Sequence, residues 1–201
     1  RDLTVDDPQG GTISAKAFSF SIDGAYVFVG AGGEFSYDEF DRVDAVANAG
    51  TGFAAEGLAF DLISVTEVVD LQANPSAVAR SWTAMSAHAD TISPRGLPQG
   101  LELTVNSLDF TLNGRDATNS DQLDWAPIIQ DLGVDAVAPE AGTDLVISGG
   151  LDLDIFGFVT GSATFDIVMR NQIEAELDST SDGLENASLM LIGLHVENLF
   201  V

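Results

Sequence analysis

Oxygen-bearing side chains at alternate positions are the first chemistry this sequence offers. Asp178, Thr180 and Asp182 alternate with serines and are followed by Gly183 in sixth place. In a tightly curled loop every second side chain turns inward, so this spacing suits an oxygen cage around calcium. Asn186 lies where a water-bridged ligand belongs, but Leu189 stands where an EF-hand has its bidentate glutamate. The competing reading of the stretch is a polar turn between two strands. A second set, Asp116, Asn119, Asp121 and Asp124, is less regularly spaced, and Asp38, Glu39, Asp41 and Asp44 read as a solvated acidic run. Calcium is therefore the one cofactor the sequence suggests.

Nothing comparable points to catalysis. The two histidines, His88 and His195, both sit in alternating, strand-like text. There is no HExxH, GxSxG, Walker or GxGxxG pattern. With 32 Asp and Glu in the chain, carboxylate pairs are expected by chance and do not identify a glycosidase. Cysteine is absent, which removes disulfides, thiolate metal sites and a thiol nucleophile. Trp82, Trp125 and Tyr26 would make a carbohydrate-stacking set if exposed, but aromatics in strands more often fill a core. The expectation is a protein without catalytic residues.

Charge sets the surroundings. Seven basic residues, only one of them lysine (Lys16), stand against the 32 acids, giving a formal net charge of −25. Such a field repels nucleic acid and anionic membrane surfaces. Divalent cations or molar salt would relieve the self-repulsion, the first by binding carboxylates and the second by shortening the Debye length. At 45% hydrophobic residues the chain has enough apolar material for a real core. No apolar run reaches the roughly 18 residues of a membrane helix. The chain opens on Arg1 without a signal peptide, so it reads as an internal or processed piece.

The elements that must position these groups are strands. Residues 1–12 read as an acidic entry loop and 13–201 as one all-β repeat unit. Ile13, Ala15 and Ala17, then after a phase slip Phe18, Phe20 and Ile22, alternate up to Asp23-Gly24, a hairpin signal, with Tyr26 to Val29 as the return strand. Leu58, Phe60 and Leu62, then Leu101 to Leu112, then Leu145 to Ile167 repeat the period of two. Glycines at 149, 150, 157 and 161 divide the last stretch into short units. One short helix is expected near 75–80, where Pro75 follows Asn74. The fold class is all-β, with about ten to fourteen short strands in an elongated, solenoid-like module or curved sheet stack, against the alternative of a globular sandwich.

The end of the chain re-reads its beginning. Met190 to Val201 (MLIGLHVENLFV) carries the apolar beat of Phe18 to Val29 (FSFSIDGAYVFV), and Phe200-Val201 matches Phe28-Val29. Residues 187–201 thus read as the start of a next repeat. Phe18, Phe20, Phe28 and Phe200 are the expected joining residues.

Ser81 to Ala87, Gly100 to Asn113, Gly150 to Phe165 and Leu191 to Val201 together resemble the long repeats of giant bacterial exoproteins, RTX-like or adhesin-like and often described as calcium-binding. The resemblance covers most of the chain in a circularly shifted copy. The GGxGxDxUx nonapeptide of calcium rolls is absent, so calcium binding does not follow from that motif. The resemblance implies a secreted or surface-displayed structural array whose partners are neighbouring copies of the same repeat. The alternative is a subunit of a self-assembling extracellular filament or surface layer, acidic as an adaptation to salt.

Overall fold

The computed structural model describes residues 1–47, 50–116, 121–176 and 183–201, the side chains of 172–176 and 183–186 excepted. Strands β1 (Asp2–Asp6), β2 (Thr12–Ala31), β5 (Thr51–Glu67), β6 (Ser81–Arg95), β7 (Leu101–Arg115), β8 (Leu145–Ile155), β9 (Val159–Glu176) and β10 (Gly183–Phe200) form one antiparallel sheet. Their order in the sheet is their order in the chain. The sheet is open: β1 lies at one side and β10 at the other. Between β2 and β5 the chain makes a separate small hairpin, β3 (Phe35–Tyr37) with β4 (Val43–Val46). One helix, α1 (Trp125–Leu132), lies in the β7–β8 connection.

The all-β expectation with at most one short helix holds, and three local expectations change. The segment 1–12 is not simply a loop, because Asp2–Asp6 pairs with Thr12–Lys16. Asp23-Gly24 is a bulge rather than a hairpin: the segments on both sides of it pair with β5, and the register shifts between Ile22 and Ala25. Strands are consequently long, with β2 running 20 residues. The helix is not at 75–80. There Asp70 and Asn74 accept hydrogen bonds from backbone amides two and three residues on, which hold the chain in successive turns.

Residues 125–132 form the helix because their ends are capped. The Asp124 carboxylate accepts from the Ala126 amide at 3.1 Å, a contact of about 1 kcal/mol. Pro127 falls in the first turn, where its missing N–H has no intrahelical partner to lose. Gly133 closes the helix in a left-handed conformation (φ 69°), its amide reaching the Ile129 and Gln130 carbonyls.

The helix buries Trp125, Ile128 and Ile129 against one end of one sheet face. Facing it are Leu3 and Val5 of β1, Ala15 and Ala17 of β2, Ile63 and Val65 of β5, and Trp82 and Ala84 of β6. Alanines beneath the two indoles leave room for them, and both tryptophans are 1% exposed. The indole of Trp125 donates to Asn113 Oδ1 at 2.8 Å and that of Trp82 to the Asp121 carbonyl at 3.1 Å. Each buried N–H is thus satisfied. Beside this core Arg80 bridges Asp7 and Glu67, with contacts from 2.7 to 3.2 Å, and lies 5.3 Å over the Trp82 ring.

Candidate functional site

Cross-strand register makes the opposite face of the sheet apolar from side to side. One row runs Phe20–Leu62–Met85–Leu112–Leu145–Met169–Met190 across seven strands. The next runs Ile22–Phe60–Ala87–Phe110–Ile147–Ile167–Ile192. Every member is apolar. Paired side chains shield each other, so the middle of each row is half-buried, while the ends stand out: Phe20 is 46% and Ile192 66% exposed. Phe20 and Phe60 meet diagonally with ring centres 6.4 Å apart. An apolar surface of this extent marks an interaction face.

At β8–β10 the other face is mixed: beside Ser148, Asp166 and Gly193, the residues Val146, Val168 and Leu191 form an apolar row. That row starts, on β2 to β7, with the polar set Ser21, Asp61, Ser86 and Thr111. β10 is therefore an edge strand with large apolar side chains on both sides, among them Leu191, Ile192, Leu194 and Phe200. A long apolar edge is a template for pairing with another chain.

The polar set floors a groove of about 650 Å³, walled by Val134, Asp135 and Val137 after the helix. Here His88 is held between two carboxylates, with Nδ1 2.8 Å from Asp109 Oδ1 and Nε2 3.2 Å from Asp90 Oδ1. The hydrogen bond to Asp109, then that to Asp90, raise the His88 pKa, and partial desolvation opposes them. Next to it Ser21 Oγ donates to Asp61 Oδ1 at 2.6 Å and Ser86 Oγ to Asp61 Oδ2 at 3.3 Å. Both imidazole nitrogens face carboxylates and both hydroxyls point at Asp61, so the geometry forms a fixed ionic network rather than a serine–histidine relay. His88 and Asp90 stand two residues apart on β6 and so share a face. Asp109 and Asp61 join them only through register, which no local pattern reveals.

The expected calcium ligands fall differently. Asp178, Thr180 and Asp182 lie outside the described residues, as do Asn119 and the side chain of Asn186. Of the second set, Asp116 accepts from the amide and hydroxyl of Ser81 at 2.8 and 2.9 Å, and Asp124 caps the helix. Asp121 meets Trp82 through its main-chain carbonyl. Among the described residues no three His, Asp or Glu side chains are grouped as a metal site. Trp82 and Trp125 belong to the core and offer no stacking surface to a sugar.

The four expected joining phenylalanines divide. Phe18, Phe20 and Phe200 are exposed, whereas Phe28 is half-buried over the Gly30–Gly33 turn. Any side chain at Gly33 would collide with the Phe28 ring, which accounts for the glycine there. Among the described residues no helix is long and apolar enough to cross a membrane. Comparison with protein-family models, with curated proteins and with solved structures finds no match to this chain.

Proposed function

We propose that this chain is a non-enzymatic structural and adhesive module of a very long secreted or surface-displayed protein, and that it associates with like units through strand packing. One observation carries the reading: an open sheet with an apolar face and an edge strand apolar on both sides. Such a sheet is incomplete as an isolated soluble body, since edges and apolar faces of this size are normally covered. Partners of the same kind would cover them, which accords with the return of the Phe18 to Val29 pattern at Met190 to Val201. The extracellular setting is inferred from the acidic composition and the resemblance to exoprotein repeats.

The excess of acids and the single lysine favour a second reading, a filament or surface-layer subunit adapted to salt. Sedimentation across a hundredfold range of concentration, in chelator, in millimolar calcium and in molar potassium chloride, tests both. Self-association that Phe20→Asp and Ile192→Asp abolish is the expected result, and a monomer under every condition overturns both. Thermal unfolding in the same solutions sorts the ions. A rise with calcium alone supports oxygen ligands at Asp178, Thr180 and Asp182, and a rise only in molar salt supports the salt-adapted subunit.

A further inference from the structure

We propose that the edge of β2 from Phe18 to Val29, unpaired among the described residues, is the seat of a β9 strand from a second copy of this unit, whose own β10 gives up its place beside β9. The units would then continue one sheet edge to edge, in a fixed register. The inference deepens the assembly reading above and rests on it. It begins with the correspondence of β10 to β2, in which Phe18 matches Met190 and Val29 matches Val201 at a constant offset of 172 residues.

Four features of the fold respect that offset. Every step from β2 through β5, β6, β7, β8 and β9 to β10 is antiparallel, and there are six such steps, so β10 runs in the direction of β2. The two apolar rows then place Phe20 and Ile22 on the same face as Met190 and Ile192, as equivalent strands require. Each strand also carries one extra residue at nearly the same point. In β2 it falls between Ile22 and Ala25 relative to β5, and in β10 at Glu197, the counterpart of Ala25, relative to β9, where β10 is also irregular between Leu184 and Leu189.

The fourth feature is β1. Leu3 pairs with Ala15, and Ile173 of β9 pairs with Ala187, the residue 172 positions after Ala15. β1 thus takes on β2 the position that the end of β9 takes on β10. It reaches Ala17, whose amide bonds to the Arg1 carbonyl, and past that point β2 is paired, among the described residues, with β5. On β10 the corresponding edge is filled by Thr160 to Arg170 of β9. Transferring that register puts Ile167 opposite Phe20, Phe165 opposite Ile22 and Thr160 opposite Phe28. β2 of one unit then takes the place of β10 of the other, and the row through Ile147 and Ile167 runs on into Phe20 and Leu62. Met169 falls opposite Phe18, whose line across the sheet continues with Ser64 and Thr83.

The chain contains no cysteine, so an introduced pair reports register without background. The probe is a synthetic peptide of residues 159–169, short of the positions that β1 occupies, carrying Ile167→Cys and mixed with the full chain bearing Phe20→Cys, Phe18→Cys, Ile22→Cys or Ile192→Cys under a glutathione redox buffer. Directly opposed residues lie within disulfide range, whereas diagonal ones are about 7–8 Å apart. The expected result is crosslinking at Phe20→Cys at least about tenfold faster than at the other three positions, following that difference in reach. No crosslink at position 20, equal rates at 18, 20 and 22, or preference for 192 would each overturn the proposal. Sedimentation of the unaltered chain separates the two failures. Association without a crosslink at 20 removes this joint and leaves the assembly reading. No association and no crosslink removes both. A specific crosslink on a monomeric chain upholds the joint while removing spontaneous assembly of free units.

Discussion

The two ends of the sheet solve the problem of burial in opposite ways. At the β1–β2–β5–β6 end, a single short helix closes one face, and two indoles, a ring of aliphatics and the alanines between them make a dry core. At the β8–β10 end nothing among the described residues covers either face, and residues as large as Leu191, Ile192 and Phe200 stand in solvent. Similar strand text serves both ends. The difference lies in what the connections carry: the β7–β8 connection brings a capped helix back over the first end, while β8 and β9 are joined by the tight turn at Phe156-Gly157. The first end is thus stabilised from within the chain and the second lacks such support.

The comparison breaks most visibly at Trp125. Trp125→Ala removes a side chain that is 1% exposed and leaves the Asn113 amide group without its indole partner. A loss of about 3–5 kcal/mol in urea unfolding is expected. Ile192→Ser, an apolar deletion at the open end, is expected to change monomer stability by less than about 1 kcal/mol while reducing self-association. Equal losses at the two sites would mean that the open end is covered in the isolated chain.

Arg80→Met comes next, since it leaves Asp7 and Glu67 facing each other beside the core with no cation. Side chains in this cluster are 13–18% exposed, so a loss of about 2–3 kcal/mol near neutral pH is expected. The Arg80 hydrogen bonds hold both carboxyls below their ordinary pKa values of 3.8 and 4.5. A depressed carboxyl pKa stabilises the fold above the unfolded-state value and ceases to do so as pH falls through the folded-state value. The gap between wild type and Arg80→Met should therefore be full near neutrality and shrink on acidification below those ordinary values. A gap constant with pH would assign the loss to packing over Trp82 alone.

Sequence made the class of the fold legible because period-two alternation survives in nearly every strand. It missed strand length because Asp23-Gly24 has the chemistry of a turn, and only pairing with β5 on both sides shows it to be a bulge. It placed the helix at Asn74-Pro75, where a proline follows a capping residue. Asp124, Pro127 and Gly133 gave the same signals at the true position, but the eight residues they bracket are too few for a clear 3.6 periodicity. The apolar rows were half legible. Each strand showed its alternation, while the alignment of seven strands into one continuous face is a matter of register, which depends on long-range pairing. The same reason hid the carboxylates around His88.

His88 offers the finest test of how the two ends differ, because its ionic network floors the groove at the boundary of the helix-covered region. Its pKa is raised above the ordinary 6.5 by Asp109 and Asp90. A raised histidine pKa contributes stability that is complete below the unfolded-state value and disappears as pH rises through the folded-state value. The imidazole side chain is 40% exposed, so solvent and salt screen the contribution to a few tenths of a kcal/mol. His88→Gln should therefore be slightly less stable than wild type near pH 5, as an approximate choice below both values, and the difference should close with rising pH. It should also shrink in molar salt at the lower pH. A His88→Gln effect that ignored both pH and salt would show that the ring acts by packing, and the covered end would then extend past the helix to the groove floor.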